Sequence, residues 1–532
     1  MAETVKLDAL VVGAGFAGLY MLHKLREQGL SAQVVEAGKG VGGTWYWNRY
    51  PGARCDIPSV EYSFSFSPEL ERDWRWSERY APQPEILAYL EHVADRFDLN
   101  RNIQFETRVT AAQWDEAATY WHVETDRGQA YTAHYLILAT GALSAPNLPD
   151  LPGLDSFTGT VLHTAKWDES VDLTGRNVAL FGTGSSGIQV TPELAKRAAQ
   201  LTVFQRTPNF AVPAGNHPLS DEYLAEIAPQ LPGLREQARQ SPLGFFATPS
   251  PGLAKEATAD ARAQRLEQHW AAGTTGLLLA YEDLLFDEES NSHAAEFARS
   301  KIAGQINDPE TARKVTPQGY PLGSRRLCSE IGFYDALNRD NVAVVDVREE
   351  PVTQITGDAI QTSDGTYPAD VIVFATGFDA VVGAINAIDI RGEGGRSLRE
   401  EWADGPRAYL GLAVAGFPNL FTITGPGSPS VLSNVVLSIE QHVEWIAQCL
   451  SDLDARGVTR LEAQADAEQE WMEHSDAIAQ QTLFPRANSW YHGRTRDGRR
   501  VFLPYLGGCG AYRDKCNAVA ADNYAGFDLG RD

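Results

Sequence analysis

The sequences GAGFAG at residues 13–18 and GTGSSG at residues 182–187 are two copies of a dinucleotide-binding turn. The first copy follows an apolar strand at residues 9–12 and opens an amphipathic helix. Its glycines permit a tight turn, close approach of a pyrophosphate to the backbone and close helix packing, while the helix N-terminus attracts negative charge. The next strand ends at Glu36, whose carboxylate can accept hydrogen bonds from ribose hydroxyls. This unit therefore predicts FAD or NAD binding.

The second unit repeats the strand, turn, helix and strand but ends on different side chains. Arg206 and Thr207 stand where Glu36 stands in the first unit. A guanidinium and a hydroxyl suit a 2′-phosphate, so the preferred second nucleotide is NADP(H). The alternative is that Arg206 is a solvated surface arginine.

Composition limits the classes of partner. The chain has 532 residues, with 45 Lys and Arg against 70 Asp and Glu and a net charge of −25. Such a surface repels nucleic-acid phosphates and anionic lipid headgroups. The sequence has no apolar run long enough to span a bilayer and no N-terminal signal pattern, so we expect a cytoplasmic enzyme of two or three domains.

The five cysteines are scattered, without CxxC or metal-ligand spacing. This disfavours a disulfide scaffold, a metal site and a disulfide reductase, which would carry a close cysteine pair beside its flavin. A reactive Cys55 thiolate stays open, because Arg54 could lower its pKa while Asp56 would oppose that change.

The segment FTGTVLHTAKWD at residues 157–168 lies between the two glycine turns and carries a further motif. The pattern FxGxxxHxxxW followed by Pro or Asp is met here. Its members are Phe157, Gly159, His163, Trp167 and Asp168. With GTWYWNRYPGARCD at residues 43–56, FQRTP at 204–208 and GPGSPSVLSN at 425–434, the chain resembles type I Baeyer–Villiger monooxygenases over nearly its whole length. It is most similar to the phenylacetone and steroid monooxygenase branch.

This resemblance implies a chemistry. Members of this family hold FAD tightly and use NADPH and O2. They convert a ketone into an ester or lactone through a flavin 4a-peroxide and a tetrahedral adduct. The adduct carries oxyanion charge, which an arginine can stabilise because it stays protonated near neutral pH. The resemblance assigns this role to Arg326, the second member of a basic pair, with Asp56 as its partner and Arg325 near the 2′-phosphate. The alternative is that Arg325 and Arg326 are solvated loop arginines.

The remaining site residues follow from the two turns and from the resemblance. The expected FAD-binding residues are Gly13, Gly15, Phe16, Ala17, Gly18, Glu36, Thr44, Trp45, Trp47, Asp56, Tyr62, Val109 and Val435. The expected NADP-binding residues are Arg54, Asp56, Gly182, Thr183, Gly184, Ser185, Ser186, Gly187, Ile188, Arg206, Thr207, Arg325, Arg326 and Trp490. For Trp45, Trp47 and Trp490, ordinary packing is the alternative. We expect His163 to act mechanically in the linker and not as an acid or base.

The fold class is predicted to be α/β, with two Rossmann-like dinucleotide-binding domains and a helical insertion. Strands are expected around residues 104–109 and 120–125, and the helix of the second unit over residues 188–199. The apolar strands that end in ATG at residues 139–141 and 375–377 mark where the chain leaves a nucleotide-binding sheet. The predicted division is 1–150 with 378–532 for the FAD-binding domain, 151–215 with 325–377 for the NADP-binding domain, and 216–324 for the helical subdomain.

Two other functions stay open on sequence grounds. A flavin monooxygenase that oxidises sulfides or amines would share both glycine turns, although such enzymes usually carry an aromatic residue other than Trp near position 167. A non-oxygenating flavoprotein that acts as a redox sensor is the second alternative. The expected partners are a small ketone and O2, with no nucleic acid or membrane, and the protein is expected to be a monomer or a weak homo-oligomer.

Overall fold

A computed structural model describes residues 4–531. Its strands are β1 Val5–Val12, β2 Ala32–Val35, β3 Ile103–Gln104, β4 Val109–Asp115, β5 Tyr120–Thr125, β6 Ala130–Leu138, β7 Ala145–Pro146, β8 Thr160–His163, β9 Asn177–Phe181, β10 Gln200–Gln205, β11 Ala211–Pro213, β12 Cys328–Glu330, β13 Val342–Asp346, β14 Val352–Ile355, β15 Ala359–Thr362, β16 Thr366–Pro368, β17 Val371–Phe374, β18 Phe378–Asp379, β19 Asp389–Arg391, β20 Leu420–Thr422, β21 Arg460–Ala463, β22 His492–Arg494, β23 Arg500–Phe502 and β24 Phe527–Gly530. The helices are α1 Phe16–Glu27, α2 Thr44–Trp47, α3 Pro68–Asp73, α4 Gln83–Arg96, α5 Ser185–Arg197, α6 Asp221–Ile227, α7 Leu231–Gln240, α8 Ala259–Ala272, α9 Glu288–Ala303, α10 Pro309–Val315, α11 Phe333–Leu337, α12 Gly383–Asn386, α13 Leu398–Glu401, α14 Val435–Ala455, α15 Ala465–Ala479 and α16 Cys509–Ala521.

The first large sheet has the strand order β19-β4-β5-β6-β1-β2-β3, and β20 pairs with the C-terminal part of β6. Strand β1 lies parallel to both β2 and β6, and Val12 is in register with Val35 and Leu138. The second half of β1 is buried on both faces, as in a parallel sheet covered by helices. The first glycine turn thus follows a central strand and leads into α1, as predicted.

The second large sheet has the order β13-β10-β9-β17-β8 and is parallel throughout. Its central strand β9 leads into the second glycine turn and α5. Together the two sheets confirm the predicted α/β class with two Rossmann-like units.

A small antiparallel pair, β7 with β18, connects the two units. Strand β7 follows the first ATG end and β18 follows the second. In this pair Phe378 lies opposite Pro146, and Asp379 lies opposite Ala145. Both chain crossings between the sheets are therefore held together.

The region between β11 and β12 is mainly helical and contains α6 to α10. Trp270 of α8 and Ala294 of α9 belong to the same buried cluster as Val178 and Leu180 of β9. This region is therefore packed onto the second unit. No helix in residues 4–531 combines the length and the apolar character needed to cross a membrane.

One predicted strand is wrong, and one helix begins earlier than predicted. A strand over residues 104–109 is not formed, because β3 ends at Gln104 and β4 begins at Val109. Glu106 between them has a φ of +51°, which a strand does not accommodate. The second-unit helix, expected from residue 188, begins at Ser185 and continues the glycine turn directly.

The third glycine of each turn sets the distance between helix and strand. A Cβ at Gly18 would lie 1.8 Å from the Gly13 carbonyl oxygen, and one at Gly187 would lie 2.1 Å from the Gly182 oxygen. At Gly184, by contrast, a Cβ would meet no atom within 4 Å.

We therefore expect Gly187→Ala to lower the free energy of unfolding of the protein by about 1–3 kcal/mol, the usual cost of overpacking. Gly184→Ala is the matched control: it should leave the unfolding free energy unchanged and weaken only dinucleotide affinity, because its methyl group enters open space. Denaturant unfolding and nucleotide titration measure the two effects. Equal unfolding free energies for the two variants would contradict this role of Gly187.

Candidate active site

A cavity of about 1430 Å³ runs along both glycine turns and collects most of the predicted site residues. Predicted residues that line it are Gly13, Gly15, Phe16, Ala17, Glu36, Thr44, Trp45, Trp47, Arg54, Asp56, Tyr62, Val109, Gly182, Thr183, Gly184, Ser185, Ser186, Arg206, Thr207, Arg325, Arg326, Val435 and Trp490. Gly18, Gly187 and Ile188 lie outside it. The two glycines lie against backbone, and Ile188 is buried in the core of the second unit.

The first end of the cavity suits a nucleotide with free ribose hydroxyls. Helix α1 begins after Gly15, which has no side chain to cap it, so the N–H groups of its first turn are available to a phosphate. The buried Glu36 carboxylate accepts hydrogen bonds from the backbone N–H groups of Ala14 at 2.8 Å and Gly38 at 2.7 Å. These bonds hold the carboxylate at the end of β2, where its remaining lone pairs can accept from a ribose.

An aromatic wall continues this end of the cavity. The Trp45 indole N–H donates to the Tyr62 hydroxyl at 3.2 Å, and both side chains are buried. Trp45 and Tyr62 therefore hold each other in place and also border the cavity. Packing and cofactor binding are thus compatible roles for Trp45.

The second end of the cavity suits a phosphorylated ribose. Helix α5 begins after Gly184, again without a side-chain cap. Arg206 is exposed at the cavity and forms no ion pair within residues 4–531. Thr183 donates to the Thr207 carbonyl at 3.2 Å, which ties the turn to the end of β10. An arginine without a protein carboxylate is available to an anionic ligand.

Arg326 and Asp56 form a bidentate ion pair in the cavity wall. Arg326 Nε donates to Asp56 Oδ2 at 2.5 Å and Nη2 donates to Oδ1 at 2.7 Å. A third hydrogen bond runs from Nη1 to the Val431 carbonyl at 2.9 Å. Burial disfavours the charged guanidinium, but Asp56 outweighs burial and holds the pKa of Arg326 above its ordinary value. Arg326 is thus a fixed cation and not a solvated loop residue.

Arg54 and Arg325 also border the cavity, but each has contacts of its own. Arg54 Nη1 donates to Glu78 at 2.5 Å and also to the Tyr80 carbonyl, although the residue borders the cavity. The Arg325 guanidinium lies 5.5 Å from the centre of the Tyr320 ring. Arg54 is therefore already neutralised by a protein carboxylate, whereas Arg325 rests on an aromatic face.

The thiols at the cavity are protonated. Burial raises the pKa of the Cys55 thiol well above its usual range, and nearby Asp56 adds to this effect. Burial likewise raises the pKa of Cys328 to about 11. All five cysteines are buried and free. The geometry therefore disfavours a reactive Cys55, and no His, Cys, Asp and Glu cluster in the described chain could hold a metal ion.

The motif at residues 157–168 lies at the connection between the two units. His163 ends β8, and its Nδ1 accepts the Ala165 N–H at 3.0 Å. Its ring lies 6.3 Å from the ring of Phe378 in β18, and burial lowers its pKa. A Cβ at Gly159 would lie 2.3 Å from the Asp370 oxygen, which explains the glycine. His163 is therefore a neutral residue beside the crossing strands.

The other members of this motif have structural contacts. The aromatic ring of Phe157 packs on the core beneath the second sheet, and Trp167 packs on the core of the same unit. Exposed Asp168 accepts from the Ser170 backbone and hydroxyl at 2.9 and 2.6 Å. The five motif residues stay out of the cavity wall, whereas Ala165 and Lys166 between them border it.

The structure adds cavity residues that sequence reasoning missed. Tyr50 donates to Gln189 Oε1 at 2.8 Å, and Gln189 Nε2 donates to the Arg54 carbonyl at 3.0 Å, so α5 holds the segment 43–56. Thr424 and Val431 also border the cavity. Gln189 lies two residues after the second glycine turn, and Thr424 directly precedes the motif at residues 425–434. Extending the two motifs by one or two residues would have included Gln189 and Thr424.

Known proteins resemble this chain over its full length. The family described as pyridine nucleotide-disulphide oxidoreductase matches residues 10–227. A Baeyer–Villiger monooxygenase from Pseudooceanicola batsensis is 40% identical, with 97% of this chain and 95% of that protein covered. The chain belongs to the Baeyer–Villiger monooxygenase family. A phenazine N-monooxygenase from Lysobacter antibioticus is also 40% identical, with 100% of this chain and 98% of that protein covered.

Solved structures agree with this assignment. An oxidised steroid monooxygenase bound to NADP superposes with a TM-score of 0.95 at 48% identity, covering 99% of this chain and 100% of that one. The complex of OTEMO with FAD and NADP has a TM-score of 0.96 at 39% identity, with 99% and 100% covered. The predicted family and fold are confirmed.

Proposed function

We propose that this protein is an FAD-containing monooxygenase that uses NADPH and O2 to convert a ketone into an ester or lactone. The observation that carries this proposal is the Arg326–Asp56 pair, which lies in the wall of a cavity lined by both glycine turns. The two glycine turns would bind different dinucleotides, FAD and NADP(H). The Arg326–Asp56 pair would supply a fixed positive charge between these two sites.

Bound FAD, once reduced by NADPH, supplies the activated oxygen that is transferred. The chain supplies the charge that orients the ketone and stabilises its oxygen. The bonds to Asp56 and Val431 use three of the five N–H donors of Arg326, which leaves donors for a substrate carbonyl. Because Arg326 cannot lose its proton near neutral pH, it can stabilise negative charge on that oxygen throughout turnover.

The division of labour between the units is part of the proposal. Residues 1–150 with 378–532 would bind FAD, 151–215 with 325–377 would bind NADP(H), and 216–324 would form a helical cap on the second unit. The strands of the two sheets support this division. Arg206 and Thr207 would bind the 2′-phosphate, Arg325 would assist, and Trp490 would cover the nucleotide. Because Arg54 is paired with Glu78, its contribution would come mainly from its backbone.

We further propose a cytoplasmic enzyme that acts as a monomer or a weak homo-oligomer and binds neither nucleic acid nor membranes. The net charge of −25 supports this, because it repels anionic polymers and surfaces and opposes self-association.

Oxidation of a heteroatom is the second candidate reaction. It is favoured by one observation, the full-length similarity to a phenazine N-monooxygenase. A panel of ketones, sulfides and aromatic N-heterocycles, with product identification, separates the two reactions. Ester or lactone as the main product supports the first proposal, and sulfoxide or N-oxide without any ester would contradict it.

Arg326→Ala should leave FAD bound and reduce ester formation by about 100- to 1,000-fold, because the oxyanion loses its charged donor. Arg326→Lys is the matched control: it keeps the charge but loses the bidentate bond to Asp56, so it should recover only part of the rate. Steady-state product analysis measures both. A rate near that of the unmodified enzyme in the alanine variant would rule out this role.

Arg206→Ala should lower the NADPH-to-NADH ratio of kcat/KM by roughly 10- to 100-fold, since charge-assisted hydrogen bonds to a phosphate are lost. Arg313→Ala serves as the control and should leave the ratio unchanged, because Arg313 is an exposed arginine of the helical region that is already paired with Glu310 and Glu349. An unaltered ratio in Arg206→Ala would show that another residue binds the phosphate.

His163→Ala should slow turnover by about fivefold, the equivalent of one lost hydrogen bond of about 1 kcal/mol, and should leave product regiochemistry unchanged. The reason is that His163 lies beside the crossing strands and not in the cavity wall, so only repositioning of the two units is affected. Hydrogen peroxide released per NADPH consumed should rise. Normal rate and coupling, or a changed regioisomer alone, would argue against a mechanical role.

A further inference from the structure

His442 lies in the middle of α14 and is completely buried. Its Nδ1 accepts the backbone N–H of Thr424 at 2.9 Å. On the other side of the ring, Nε2 lies 2.9 Å from the hydroxyl oxygen of Tyr512 in α16, and that hydroxyl donates to the Leu410 carbonyl. The imidazole therefore connects three parts of the chain.

The proton positions in this chain of bonds follow from the partners. A backbone N–H can only donate, so Nδ1 carries no proton and the neutral ring is protonated on Nε2. Nε2–H then donates to Tyr512, whose own proton goes to Leu410. Burial, assisted by the charge of Arg513, lowers the pKa of His442 to about 3, so the ring stays neutral at working pH. Both ring nitrogens of His442 therefore have a hydrogen-bond partner.

Thr424 needs this partner because its backbone is strained. Its φ is +60°, a left-handed value that is unfavourable for a β-branched residue. It lies two residues after the end of β20 and borders the cavity. The hydrogen bond to His442 is the side-chain contact that holds its N–H in place.

The conformation of Thr424 sets the course of residues 425–434, which lead from β20 to α14. Ser430 within this segment also has a positive φ, of +45°, and is buried. The next residue, Val431, accepts the third hydrogen bond of Arg326, at 2.9 Å. The Ser430 hydroxyl donates to the Thr424 carbonyl at 3.5 Å. A path of contacts therefore runs from His442 through Thr424 and Ser430 to Val431 and the guanidinium.

We propose that His442 is a positioning residue for the oxygenation: it holds Thr424 in the left-handed conformation and thereby fixes the segment 425–434 against Arg326. The link to catalysis rests on the proposed function of Arg326. The effect of His442 on the backbone order of residues 424–434 does not rest on that function, and it can be measured without an activity assay.

The main variant is His442→Leu, which removes the acceptor for Thr424 and keeps an apolar side chain. We expect FAD content and the KM for NADPH to stay unchanged, kcat for ester formation to fall between about 10- and 100-fold through misplacement of Arg326, and peroxide release to rise. Amide hydrogen exchange of the 424–434 peptide should accelerate at least tenfold.

Tyr512→Phe is the matched control. It removes the partner of Nε2 but leaves the bond from Thr424 to Nδ1, so kcat and exchange of the 424–434 peptide should stay within about threefold of the unmodified enzyme, even if the melting temperature falls by a few degrees. Adding Thr424→Gly to His442→Leu should restore part of kcat, because glycine tolerates the positive φ. A purely structural histidine would show no such recovery.

A second pair covers the case in which His442→Leu does not fold. The amide oxygen of Asn can replace Nδ1 as acceptor, whereas the longer Gln side chain reaches towards the position of Nε2. The kcat of His442→Asn should therefore be at least fivefold higher than the kcat of His442→Gln. Equal values would overturn the proposal, as would normal kcat in His442→Leu or faster exchange without any loss of kcat. If the unmodified enzyme forms no ester, the proposed function fails, while the exchange measurements still decide the role of His442.

Discussion

The partly buried ion pair of Arg326 and Asp56 joins residues 270 positions apart and determines how the site is built. Removing both charges from water is costly, and the bidentate geometry with the additional bond to Val431 offsets that cost. The pair and its bond to Val431 can form together only when the segment 43–56, the residues just before β12 and the segment 425–434 meet at one point. Those three segments therefore have to fold around a common charge.

The rest of the cavity contributes little competing reactivity. Burial raises the pKa values of the Cys55 and Cys328 thiols, which border the cavity. Both thiols are thus kept protonated, and the Asp56 carboxylate is paired with Arg326. A site of this kind leaves chemistry to a bound cofactor and uses the protein for position and charge. This is consistent with the Baeyer–Villiger family to which the chain belongs.

The strand pair at which the chain crosses between the two units is small compared with the units themselves. Strands β7 and β18 have two residues each, whereas each unit has its own large sheet, of mixed strand direction in the first unit and parallel in the second. The motif that ends in Trp167 lies at this connection and anchors it to the second unit. Such a short crossing suits the mechanical role proposed for His163, since small backbone changes there would rotate one unit against the other.

The sequence alone determined the features that depend on neighbouring residues. Both glycine turns, the strands that precede them and the contrast between Glu36 and Arg206 could be predicted, because turn geometry and nucleotide preference reside within a few consecutive residues. Tertiary structure decided the pairing of Arg54 with Glu78, the packing role of Gly18 and Gly187, and the place of Thr424 beside His442. The left-handed Glu106, which interrupts a predicted strand, was likewise invisible in the pattern of apolar residues. Such features depend on contacts between distant segments, and no local pattern records them.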